Sequence, residues 1–141
     1  MQSSSAELHL KLFAFHGTIN YYRGIQLMRE LVKVFKALAD KNRLRILKML
    51  QYKKMCVCEL SAALGITRPS VSRHLSLMKD AGLVQDERNG QWIDYSLCKE
   101  TINVYASVIQ SHLNEWVNDD PAIKDDVKKI KTLHREELCS K

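Results

Sequence analysis

Apolar residues along the chain recur mostly at helical spacing, with one interval of strand-like alternation. Leu31, Val34, Phe35 and Leu38 fall on one stripe and predict a helix over residues 27–38. Asp40 is placed to cap a second helix, Lys41 to Leu50, with Leu44, Leu47, Met49 and Leu50 facing inward. Leu60, Ala63 and Leu64 mark a short helix from Glu59, and Gly65 suits the left-handed residue that ends it. Thr67 as N-cap and Pro69 in the first turn open the next helix, whose inner face carries Val71, Leu75 and Met78. From Leu83 to Leu97 the period falls to that of a strand, and Asn89-Gly90 between the two halves predicts a tight hairpin with Asn-Gly at its centre.

Helical spacing then returns. Ile102, Tyr105, Ala106, Ile109, Leu113 and Trp116 predict a long helix from Glu100 to Val117 with a broad apolar face. Asn118 to Pro121 breaks it, and the charged stretch Ala122 to Glu137 keeps one apolar edge of Ile123, Val127 and Ile130. Residues 1–26 mix periods and predict no single element.

Two short helices around a glycine turn form a helix-turn-helix, and a hairpin directly after them is a wing. The predicted fold is mainly α with a β-hairpin wing: a winged helix-turn-helix with a helical dimer interface. Residues 1–26 are an N-terminal extension, 27–118 the winged domain with its dimerisation helices, and 119–141 a charged tail with helical spacing. The second helix of the motif leaves Thr67, Arg68, Ser70, Ser72, Arg73 and His74 available for DNA. Short hydroxyls let backbones approach closely, and an arginine reaches guanine edges or phosphates. Arg88, Asn89 and Gln91 at the wing tip are placed against backbone or minor groove. The apolar face of the last long helix predicts a second copy as its partner. A two-fold homodimer reads a palindromic operator on double-stranded DNA.

The composition fits this picture. The chain has 141 residues, a formal net charge of +6 and a pI near 9.2, which suits a polyanionic partner. No apolar run approaches membrane-spanning length. The serine-rich start lacks the basic residues and cleavage site of a signal peptide, so a cytoplasmic protein is expected, without a membrane partner. There is no C-x-x-C, no nucleophile–base pair and no glycine-rich phosphate loop, so an enzyme is not expected, nor a constitutive cofactor. A winged helix that binds protein instead of DNA would not need the serines and Arg73 on the outer face.

The four cysteines carry the remaining chemistry. Cys56 and Cys58 stand two apart at the start of the helix-turn-helix. On a regular helix such residues do not share a face, so joint ligation predicts a bent or unwound helix start. Lys53, Lys54 and the helix N-terminus are expected to lower the thiol pKa values. Paired thiols with no histidine nearby suit soft ions. A cysteine alone is more often a small buried apolar residue, and Cys139, near the chain end, a free thiol in a fraying segment.

Cys56-Val57-Cys58-Glu59-Leu60, Arg68-Pro69-Ser70-Val71-Ser72-Arg73-His74-Leu75 and Gly82-Leu83-Val84 resemble the ArsR/SmtB family of winged-helix metal-sensing repressors. The resemblance runs from about Leu31 to Trp116, and its C-V-C-E-L box is similar to that of arsenite-responsive members. It implies a repressor released from DNA when As(III) or Sb(III), as inducer, takes three thiolates. The family's third cysteine would fall on Ser61. The third sulfur then comes from Cys98 or Cys139, or the site has two protein thiolates completed by a small thiol, hydroxide or the methyl group of methylarsenite. Other thiophilic inputs on the same fold are cadmium, lead or zinc, and thiol oxidation or persulfide. The family's zinc site on the last helix is half present: His112 and Glu115 match, but its other two positions fall on Lys99 and Thr101, and lysine is a poor ligand. The family pattern begins near Met28, which makes Met28 a candidate natural start; the alternative is an added N-terminal helix packed on the dimer.

Overall fold

Helix α1 takes up residues 26–38 of the computed structural model, which describes residue 24 and residues 26–139. The readings made on residues 1–23 lie outside the described residues. Val34 and Ala37 of α1 are buried, but Phe35 is 57% exposed, so it does not share the inner stripe. The side chain of Asp40 accepts from the backbone N–H of Arg43 at 3.1 Å and starts α2, Lys41–Leu50, where the pattern places it. Arg43 turns back to cap α1, donating to the carbonyls of Ala37 (2.7 Å) and Lys36 (2.9 Å).

Helix α3, Val57–Leu64, begins two residues earlier than the apolar pattern indicates, with Cys56 as its N-cap. Gly65 closes it at φ 68°, the left-handed conformation glycine adopts without a Cβ penalty. The Ser61 hydroxyl donates to the Ile66 carbonyl and braces the turn. Helix α4, Arg68–Asp80, follows with Thr67 at its N-cap position and Val71, Leu75 and Met78 buried. Strands β1, Val84–Asn89, and β2, Trp92–Leu97, pair antiparallel with Asn89 opposite Trp92. The two turn residues are therefore Gly90 and Gln91, one step later than an Asn-Gly turn. Only Gly90 takes a positive φ (62°), as a II′ turn requires at its first central position. Met55 bridges to Tyr95 through two backbone hydrogen bonds of 3.1 and 2.9 Å, which pins the entry to α3 against the wing.

The predicted long helix is shorter than its apolar spacing suggested. α5 spans Val104–Leu113, and turns follow to residue 119. Asn103 sets its start: its Oδ1 accepts from Tyr105 N, while its Nδ2 donates to the carbonyls of Glu30 and Ala81. Its end is held by buried Lys48, whose Nζ donates to the Leu113 carbonyl at 2.6 Å, a cation at the negative pole of a helix. Ala106 and Leu113 are buried in the chain's own core, with Tyr105 and Ile109 packed against it. The face of α5 left open is instead Val104 and Val108.

Helix α6, Pro121–Ile130, is capped by Asp120 and lies on α2 and α3. Ile123 and Ile130 are buried, and Asp126, 1% exposed, accepts from Arg45 Nε and Nη2, each at 2.7 Å. A break at residues 131–134 leads into α7, Arg135–Cys139, which packs on α3. No helix among the described residues is long and apolar enough to cross a membrane.

Candidate metal centre and nucleic-acid interface

Cys56 is the N-cap of α3, with extended backbone (φ −87°, ψ 169°), and Cys58 lies one turn-step inside the helix. The extended cap swings the Cys56 side chain out of the helical screw. The two thiols therefore converge with the helix start intact, and the bent or unwound start is not needed. Cys139 arrives on α7, its sulfur 3.6 Å from that of Cys56. The three sulfurs lie within 4.8 Å of one another. Cys98 is not part of this group: it follows β2, where its N–H donates to the Leu83 carbonyl at 3.0 Å. Ser61, the family's third-cysteine position, is occupied in the turn to α4.

The electrostatics differ from the lowered thiol pKa values expected. Burial pushes the Cys56 thiol up. Burial, with the sulfur contacts to Cys58 and Cys56, pushes Cys139 up to about 12. The two lysines are engaged by carboxylates, Lys53 by Glu59 at 3.3 Å and Lys54 by Glu87 at 3.2 Å. Buried Glu59 also accepts from the Cys56 N–H at 2.9 Å, in a capping box with cysteine in place of serine or threonine. That spacing, Cys-x-x-Glu before an apolar run, was a signal for Glu59 available in the sequence.

Arg135 gave no such signal. It is placed over the Trp92 ring, 5.3 Å from its centroid, and bonds Asp94 at 2.6 Å and Glu59 at 3.6 Å. It thereby joins α7 to both the wing and α3. Trp92, Ile93 and Gln91 of the wing line the open cleft in front of the three thiols.

On the outer face of α4, Arg68, Ser72 and Arg73 are exposed and Ser70 is half-buried. The Thr67 hydroxyl pairs with that of Ser70 at 2.9 Å rather than with a backbone N–H. His74 is half-buried, its Nδ1 3.2 Å from Arg43, so it faces the scaffold. Arg88, Asn89 and Gln91 are exposed at the wing tip, with the Asn89 amide donating to Asp94 at 3.0 Å. His112 stacks on Trp116 at 5.4 Å.

Residues 40–86 match the sequence profile described as bacterial regulatory protein, arsR family. The chain is 36% identical over 100 residues to the arsenic resistance transcriptional regulator ArsR1 of Pseudomonas putida, an alignment covering 66% of this chain and 78% of that one. It is 42% identical over 67 residues to the arsenical resistance operon repressor of Escherichia coli, covering 47% and 57% of the two chains. Among solved structures it resembles the homodimeric winged helix-turn-helix DNA-binding domain of a possible ArsR-family transcriptional regulator from Mycobacterium bovis. That match has a TM-score of 0.56 and 29% identity, over 66% of this chain and 86% of the other.

Proposed function

Since the chain belongs to the ArsR family of bacterial regulatory proteins, DNA-binding transcriptional repressors of winged helix-turn-helix form, we propose that trivalent arsenic or antimony, held by Cys56, Cys58 and Cys139, is the signal that releases it from its operator. The observation that carries this reading is the convergence of the three sulfurs within 4.8 Å. Three soft donors without a histidine or carboxylate among them suit a thiophilic ion. Arsenical resistance in the names of the relatives supports the metalloid. So does the thiol chemistry. Exchange of the three hydroxides of arsenous acid for thiols carries the thiol protons off as water, whereas a divalent cation must expel them. Thiols pushed up by burial therefore handicap a divalent cation more.

DNA contact is assigned to Thr67, Arg68, Ser70, Ser72 and Arg73 in the major groove and to Arg88, Asn89 and Gln91 on the wing. The operative form is a homodimer on a palindromic operator. Its interface is built from exposed Met28, Val32 and Phe35 of α1 and Val104 and Val108 of α5, apolar side chains left uncovered among the described residues.

A second reading keeps the fold and the output. The 3.6 Å approach of Cys56 to Cys139 also suits disulfide formation, with an oxidant taking the two electrons and two protons of the thiol pair. The test titrates the reduced chain, on a labelled fragment of its own upstream DNA, with arsenite, and in parallel with cadmium, zinc and peroxide. Release by arsenite alone is the expected result. Release by peroxide but not arsenite would move the assignment to the redox input.

A further inference from the structure

The thiol group and the DNA-reading helix meet at one contact. Arg68, the first residue of α4, donates from its guanidinium to the carbonyl of Leu138 at 2.9 Å. Leu138 is the neighbour of Cys139. The N-terminal end of the second helix is the part of a helix-turn-helix that meets base edges. In this structure the C-terminal segment is seated on that end. Three further contacts hold the segment against α3 and the wing beside it: Arg135 on Asp94 of the wing, Arg135 on Glu59 of α3, and Cys139 on Cys56 at the α3 cap. The same short helix carries two exposed carboxylates, Glu136 and Glu137, which a phosphate backbone repels.

We propose that residues 131–139 are a latch that competes with DNA for the N-terminal end of α4. Closed, with Cys139 beside Cys56 and Cys58, the latch withholds Arg68 from DNA. Open, it returns Arg68 to DNA. A ligand that bridges Cys139 to the α3 thiols binds only the closed form, so its differential affinity becomes loss of DNA affinity. This deepens the three-thiol reading above and rests on it for the natural signal, but the latch itself can be closed without any metalloid.

The experiment uses the full chain carrying Cys58→Ser and Cys98→Ser, which leaves Cys56 and Cys139 as its thiols. Diamide takes two electrons and two protons from the pair and becomes the hydrazine, while the sulfur–sulfur bond forms. Mass and a non-reducing gel identify an intramolecular bridge. Operator affinity is then compared between the oxidised chain and its own reduced form. The expected result is a loss of about ten-fold or more, restored by reductant. Adding Arg68→Gln is expected to shrink that gap, because the withheld residue is already gone.

An oxidised chain that binds as tightly as the reduced one would overturn the latch, as would failure of the bridge to form or a bridge only between chains. A gap that persists undiminished with Arg68→Gln would overturn the role given to Arg68. Arsenite titration of the unsubstituted chain separates this from the sensing assignment. Release by arsenite without an effect of the disulfide removes the latch and leaves the thiol site. An effect of the disulfide with no response to arsenite does the reverse.

Discussion

Cys56 stands at a helix cap, and that single backbone position decides what the cysteine pair can do. Inside a helix, residues two apart point to different sides; one step outside it, at φ −87° and ψ 169°, the first thiol folds over the second. Cys56→Ser, Cys58→Ser and Cys139→Ser are each expected to leave operator binding within a few-fold and to abolish or strongly weaken release by arsenite, read by fluorescence anisotropy. Loss of operator binding itself would make the pair structural. The protonation of the site gives a second expectation. With Cys56 and Cys139 raised by burial, both remain protonated across the neutral range. Cadmium must expel those protons, so its affinity should climb steeply with pH, by about one decade per pH unit for each thiol deprotonated. Arsenite affinity should stay nearly flat over roughly pH 6–8, because its hydroxides take up the protons as water. Competition titrations at three pH values distinguish the two slopes; an arsenite affinity that climbs as steeply as cadmium's would contradict the neutral exchange.

At the scale of elements, the parts legible in the sequence are those with their own local signal. Helix α2 runs between the residues its pattern marks, because Asp40 caps it and its apolar spacing is regular. Gly65, Pro69 and the alternation after Leu83 locate the turn, the reading helix and the wing. The apolar spacing could not tell which face of α5 meets its own core and which stays open, since both carry apolar residues. Nor could it show that the charged tail docks. Asp126, Arg45, Arg135 and Asp94 carry no local signal of burial, yet Asp126, Asp94 and Glu59 are buried carboxylates matched to the two arginines. The contact between Cys56 and Cys139 spans 83 residues and depends on that docking. Asp126→Ala should therefore act on two observables. It leaves Arg45 without its bidentate partner, at a cost of about 3 kcal/mol of stability by chemical denaturation. It also loosens α6, and with it the third thiol, so arsenite affinity is expected to fall although no ligand is changed. A variant with lowered stability and unchanged arsenite affinity would mean that α7 is seated independently of α6.

For the whole molecule, α1 and α5 each carry an open apolar face among the described residues. Met28, 70% exposed, and Phe35 stand with Val32 at helical spacing on α1, and Val104 and Val108 face out from α5. A charge placed there meets water in a monomer and costs little, but in a dimer interface it is buried and unpaired. Phe35→Asp with Val108→Asp is thus expected to leave helical content and arsenite binding intact while shifting sedimentation from dimer to monomer. Operator affinity should fall far more than either change to a side chain remote from DNA would suggest, because the dimer's two half-site contacts become independent. Its dependence on salt should fall too. Each half-site makes its own phosphate contacts, and the slope of log affinity against log salt counts the counterions released. A monomer should give about half the slope of the dimer. An unchanged oligomeric state would place the interface elsewhere, and an unchanged slope in a proven monomer would mean that a single reading helix and wing already make the full set of phosphate contacts.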